Sequence, residues 1–285
     1  MKLNRDFIGK EYFTDPFLVE AESIRKYAHA TNEENPRYLK TESDSELVPP
    51  PIYSVVFARG LLEQLIEDAE EMNLDFLRLV HAEQKMRWKD TVRIGDEINT
   101  TAKIVNMAEL GPHEILDLLV QCKREDKTVV EMDNRIIIRG KEEAGAKKPG
   151  KKSSEPERGE MLTKQSRFVA KDQGRRYAEA SGDHNPIHVS DEIARKAGLP
   201  RAILHGLCTM AMASQAIVDE LLEGDPTRLK SMGVRFSRPV LMNQAITTEL
   251  YDGGVNEDGL HVVYLETRDE NGTPVLTHGK AEFSG

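Results

Sequence analysis

Apolar positions along this chain follow two spacings, and the sequence of spacings occurs twice. Val19–Ala30 and Lys171–Ala180 carry the stripe of an amphipathic helix. Ile52–Met72 and Gly206–Leu222 are longer and more evenly apolar, which predicts a long buried helix in each half. Behind each long helix lie segments rich in Val, Ile and Thr, bounded by turn residues such as Asn271-Gly272, which predict strands. A buried helix followed by an antiparallel run of strands predicts an α+β fold, a sheet wrapped on a helix. One such half alone leaves a sheet edge and an apolar face uncovered, and pairing two halves covers both.

The two halves also share residues in the same order. YAEASGDHNPIH, Tyr177–His188, stands in the second half, and YAHATNEENPRY, Tyr27–Tyr38, in the first. Further on, VRFSRPVLMNQAI, Val234–Ile246, lines up with MRWKDTVRIGDEI, Met86–Ile98, and each half closes on a strand-like pair. Matching order together with matching residues predicts a duplication. Between the halves, residues 141–160 hold 11 charged residues, and Ala144 and Ala146 are their only hydrophobic ones. Such a segment buries too little surface to offset its ordering entropy, so it reads as a charged, flexible linker. The expected division is a first half at 1–140, the linker at 141–160 and a second half at 161–285.

Composition narrows the setting. With 39% hydrophobic and 31% charged residues, the chain suits a water-soluble protein with a real core. A formal net charge of -10 repels a phosphate backbone, which excludes nucleic acid as a general partner. Cys122 and Cys208 stand far apart and in no metal-ligand spacing, which argues against a disulfide framework and a zinc site. No apolar run approaches the ~20 residues of a membrane span, and the first residues carry no continuous apolar stretch of the signal-peptide kind. A cytoplasmic location and no membrane partner are expected.

The chemistry concentrates in SGDHNPIH, Ser181–His188. Gly182 permits a tight bend, and Pro186 keeps Asn185 out of the helical region. The segment is therefore a bent loop, in which Asp183 and His188 can converge although five residues apart. Asn185 suits a local hydrogen bond that holds the bend. A carboxylate and an imidazole facing one small space form an acid–base pair near neutral pH. Gly206 falls where the second long helix begins. The first N–H groups of a helix lack partners and the dipole there is positive, which makes a ready site for a polarised carbonyl oxygen.

SGDHNPIH followed by AILHGLCT strongly resembles the MaoC-like, R-specific enoyl-CoA hydratase family, also met as (R)-3-hydroxyacyl thioester dehydratases. The family's run of aromatic, small, Gly, Asp, Asn-Pro-aliphatic-His is met by Tyr177, Ser181, Gly182, Asp183, Asn185, Pro186, Ile187 and His188, and its later His-Gly pair by His205 and Gly206. The resemblance covers the second half closely and the first in outline. It implies the double hot dog fold, two tandem halves each with a long central helix wrapped by an antiparallel sheet. It implies that Asp183 and His188 activate water and exchange protons, that the Gly206 N–H binds a thioester oxygen, and that Asn185 and Ser181 support the loop. It implies reversible hydration of trans-2-enoyl thioesters, needing no metal or redox cofactor, on an acyl-CoA or acyl carrier protein substrate, by a monomer of two hot dog halves or a homodimer. In the first half the matching positions read Asn32, Glu33 and Tyr38, and Tyr is a poor base at neutral pH. That half is expected to be catalytically silent and to house the acyl chain. Asn243-Gln244 replaces the Gly-Asp pair seen at Gly95-Asp96, which bears on turn geometry.

Blander readings stand beside these. Asp in a Gly-Asp turn is often only a cap. Ser181 can serve as a small turn residue, and His205 as a hydrogen-bonding residue at the helix start. Met210 and Met212 read as core, Lys147–Lys152 as solvated linker, and Arg235 and Arg238 as weak candidates for phosphate contact. Two other functions fit the same fold, a non-catalytic acyl-thioester binding protein and a hot dog thioesterase.

Overall fold

The computed structural model describes residues 2–39, 43, 46–140 and 158–285. Most of the expected linker, residues 141–157, lies outside the described residues.

The first half opens with short strands β1 (Glu11–Phe13) and β2 (Phe17–Leu18), then helices α1 (Ala21–Ala30) and α2 (Pro36–Leu39). A 3-10 segment, Pro51–Ala58, leads into α3 (Leu61–Glu67) and α4 (Ala69–Met72). Four long strands follow: β3 (Leu79–Trp88), β4 (Glu97–Leu110), β5 (His113–Arg124) and β6 (Lys127–Ile138). The second half repeats the order with β7 (Met161–Val169), α5 (Gln173–Ser181), α6 (Asp191–Lys196), α7 (Gly206–Leu221) and strands β8 (Leu229–Phe236), β9 (Gln244–Val255), β10 (His261–Asp269) and β11 (Pro274–Phe283).

All the strands join one antiparallel sheet in the order β1-β4-β5-β6-β3-β8-β11-β10-β9-β7, with β2 beside β4. The halves meet at β3 and β8, where Glu83 faces Arg235, Lys85 faces Gly233 and Arg87 faces Ser231. The strands alternate buried and exposed residues, as in β4, so the sheet presents one apolar face. Helix α7 lies in that face, with Cys208 through Val218 all buried. Having no polar side, it is stable only when wrapped on all sides.

The duplication is visible in matched local geometry. Tyr27 and Tyr177 pack edge to face across the molecule, ring centroids 5.7 Å apart and hydroxyls 3.4 Å apart. Asn32 and Gly182 both adopt the left-handed conformation, at φ 58° and 82°. Gly95 and Asn243 do likewise, at 86° and 65°, and their N–H groups bond the carbonyls of Val19 and Val169 at 2.9 and 2.8 Å. Asn is the side chain best suited to that conformation after Gly, so the missing Gly-Asp pair leaves the turn intact.

One expectation is corrected. Ile52–Met72 is not a continuous helix. After Ala58 the chain extends at Arg59 (ψ 141°) and turns left-handed at Gly60 (φ 83°) before α3 starts. Pro49-Pro50-Pro51 and the β-branched pair Val55-Val56 weaken the helix before the break. The apolar content was read correctly, since Ile52, Tyr53, Val56 and Phe57 are core, but apolarity does not by itself dictate continuity.

Candidate active site

The bend of the SGDHNPIH loop is built by its own polar atoms. Helix α5 ends at Ser181, whose hydroxyl donates to the Tyr177 carbonyl at 2.8 Å and accepts the Asp183 N–H at 3.2 Å. Gly182 turns the chain left-handed. Asp183 Oδ1 then accepts the Asn185 N–H at 3.1 Å, and Asn185 Oδ1 accepts the Ile187 N–H at 3.3 Å, capping a 3-10 turn over Pro186–His188. The capping reading of Asp183 thus holds for one of its oxygens.

His188 is buried beneath this loop. Its Nδ1 lies 2.9 Å from the Ile203 carbonyl oxygen. A carbonyl only accepts, so Nδ1 carries the proton and Nε2 keeps its lone pair. His205 Nε2 lies 3.0 Å from the Asp183 backbone carbonyl and by the same reasoning is protonated there. Its ring stacks on His188 with centroids 3.8 Å apart. His205 is thus a hydrogen-bonding residue at the start of α7, and its side chain props the Asp183 carbonyl without capping the helix. Burial lowers the His188 pKa below the ordinary imidazole range, against the opposing pull of Asp183. Burial and the neighbouring His188 push His205 down to about 3. Both rings are neutral at pH 7.

One ligand-type atom each from Asp183, His188 and His205 lies within 4.8 Å of the others. That donor set has the composition of a metal site. Its geometry suits one poorly, because rings stacked 26° from parallel project their lone pairs side by side and not toward one point. The same closeness suits proton exchange.

Gly206 is the first residue of α7, so its N–H belongs to the unpartnered first turn. A Cβ at this position would stand 3.0 Å from the Phe236 ring, so glycine fits where a larger residue would displace the aromatic wall. Met210 and Met212 are fully buried core. Arg235 is ion-paired to Glu83 at 2.7 Å, and Arg238 is exposed. A groove of 560 Å³ lies elsewhere, across the β3–β8 seam, lined by paired charges such as Arg235–Glu83 and Arg135–Asp117. It includes neither Asp183 nor His188.

Two residues of the first half reach this site without any signal in the local sequence. Arg59 Nε donates to the Ser181 carbonyl at 3.1 Å, a second guanidinium nitrogen donates to the Ala180 carbonyl, and the side chain packs over Gly182. His81 packs its ring on Phe236, centroids 4.9 Å apart. In the first half, burial raises the Glu33 carboxyl to about 8, and the Tyr38 hydroxyl is buried without a hydrogen-bond partner among the described residues. A protonated acid beside a phenol supplies no base at pH 7.

An antiparallel sheet of two repeats around a buried helix, with an Asp-His loop facing the helix start, defines a double hot dog. The MaoC like domain model matches residues 152–272, and the FAS1-like, dehydratase domain region model matches residues 6–132. The chain belongs to the MaoC-like dehydratase family. Among relatives it is 28% identical over 231 residues to probable enoyl-CoA hydratase 2 of Dictyostelium discoideum, covering 75% of this chain and 77% of that one. It is 24% identical to peroxisomal multifunctional enzyme type 2 of Drosophila melanogaster, over 92% of this chain and 46% of that longer one, so it spans about half of that relative. Its fold matches a MaoC-like dehydratase from Phytophthora capsici with a TM-score of 0.82 at 22% identity, covering 99% and 98% of the two chains. It also matches a Mycobacterium tuberculosis protein with a double hot dog fold, at 0.69 and 12% identity over 96% and 95%.

Proposed function

We propose that this protein adds water reversibly across the 2,3 double bond of a trans-2-enoyl thioester, a CoA ester, giving the (R)-3-hydroxyacyl thioester. The observation that carries the reading is the pairing of Asp183 with a neutral His188 whose Nδ1 is tied to the Ile203 carbonyl, which leaves Nε2 as the base. Water held between the two groups loses a proton as its oxygen bonds C3. The thioester oxygen takes up negative charge against the Gly206 N–H and the α7 dipole. A proton returned to C2 completes the addition, and dehydration runs the same steps backwards. Ser181 and Asn185 hold the loop.

Residues 161–285 form the catalytic half in this reading. Residues 1–140 are silent in acid–base chemistry, house the acyl chain, and are joined to the catalytic half through 141–160. Among the described residues no helix is long and apolar enough to cross a membrane. We place the protein in the cytoplasm, although several of its relatives are named as peroxisomal. The test is to incubate the chain with crotonyl-CoA and a longer enoyl-CoA, follow the enoyl absorbance, and resolve the product enantiomers. Loss of absorbance with an (R)-3-hydroxyacyl product supports the proposal. Hydrolysis without hydration, or binding without turnover, overturns it.

A further inference from the structure

We infer that His81, from the first half, contacts the bound thioester through Nε2 and makes the site a product of both halves. The inference rests on the reaction proposed above. Three observations lead to it. The first is position. His81 stacks edge to face on Phe236, and Phe236 lies against Gly206, where the thioester oxygen is held. The second is strand geometry. The pairing of β3 with β6 slips between His81 and Glu83. A bulge of this kind re-aims a side chain. It frees His81 from the outward row of Glu83 and Lys85, which otherwise alternates with buried Gln84 and Met86.

The third observation is an unmet hydrogen bond. His81 Nε2 is closed off from solvent and has no partner at full hydrogen-bond geometry among the described residues, although the Gln84 side chain lies near enough to act on the ring. Both amide atoms of neighbouring Gln84 share that condition, as does His205 Nδ1 under the catalytic loop. Buried polar atoms are nearly always satisfied, so such a group beside an active site points to a ligand. Burial drives the His81 pKa down to about 4 against the opposing influence of the Glu83 backbone, the Asp183 charge and the Gln84 side chain, so the ring meets substrate as a neutral hydrogen-bonding group.

The test uses His81→Phe, which keeps a ring against Phe236 and removes the nitrogens, and His81→Gln, which keeps a polar tip. Crotonyl-CoA hydration gives kcat and KM, calorimetry with butyryl-CoA gives binding without turnover, and a thermal scan gives stability. For H81F the expected result is kcat/KM lowered roughly five- to tenfold, the worth of one neutral hydrogen bond, almost entirely through KM. Butyryl-CoA binding weakens by the same factor, and H81Q retains more of both. The thermal midpoint of H81F stays level or rises, because a buried unpaired nitrogen is removed. A lowered midpoint with unchanged KM and binding assigns His81 a structural role and overturns the inference. If wild type binds butyryl-CoA without hydrating crotonyl-CoA, the proposed reaction fails, while the binding comparison still decides for or against His81. If wild type does neither, both fall.

Discussion

Gly182 is the point at which backbone strain and a contact between the halves act on the same loop, so its substitution tests both. In Gly182→Ala the backbone must hold φ 82° with a Cβ present, which costs about 1–2 kcal/mol. That Cβ would also lie 2.8 Å from Arg59 Cγ and 2.9 Å from Arg59 Nε. The arginine is flexible and can swing away, but it then gives up its bonds to the Ser181 and Ala180 carbonyls. Each is worth about 0.5–1.5 kcal/mol net, the lower end where solvent competes. The sum is about 2–5 kcal/mol, or a fall in Tm of roughly 3–10 °C for a chain of this size. Thermal or denaturant unfolding of G182A, R59A and the double variant measures it. Once Arg59 is truncated the clash disappears, so the double variant should be more stable than the sum of the singles allows, by about 1 kcal/mol or more. Gly182→Asn should cost less than G182A, since Asn32 holds the equivalent left-handed position in the first half. Strictly additive penalties, or a neutral G182A, would refute the picture of Arg59 braced against this turn.

The lowered His188 pKa keeps Nε2 unprotonated to more acid pH, so the acid limb of the kcat/KM profile should fall below the ordinary histidine value of 6.5. A limb at or above 6.5 contradicts the assignment of His188 as the buried neutral base. Glu33 carries a carboxyl raised by burial from 4.5 to about 8, so the folded state holds its proton while the unfolded state ionises. That contribution to stability is complete below 4.5 and is lost as pH rises through 8. Glu33→Gln should flatten the decline, so that its midpoint gains on wild type between about pH 5 and pH 8, with hydratase activity retained. A parallel pair of curves would mean Glu33 is ionised when folded.

What could be read in advance divides by the range over which the information acts. The bend of the Ser181–His188 loop was legible because its instructions are local: Gly182 for a left-handed bend, Pro186 against helix, Asn185 for a cap. The repeat was legible because side chains imposed by the backbone recur in order, as Tyr27 with Tyr177 and Asn32 with Gly182. The broken helix at Arg59-Gly60 was not, since the apolar run Ile52–Phe57 satisfies the core whether or not the helix continues. His81 and Arg59 carry no mark of function in their own neighbourhoods. They reach the site only through the pairing of β3 with β8 and the left-handed turn at Gly60, which are tertiary outcomes. That His205 forms a hydrogen bond at the helix start was legible, but its partner, the Asp183 carbonyl, was not, because it lies 22 residues back along the chain.

The most direct test of the account is the hydration rate of Asp183→Asn beside wild type on crotonyl-CoA, with butyryl-CoA binding measured on both. The asparagine keeps an oxygen for the Asn185 N–H, so the loop and binding should persist while proton exchange is lost. The account predicts a fall in kcat on the order of a thousandfold with binding nearly unchanged. A variant that hydrates at close to the wild-type rate would contradict acid–base catalysis by Asp183.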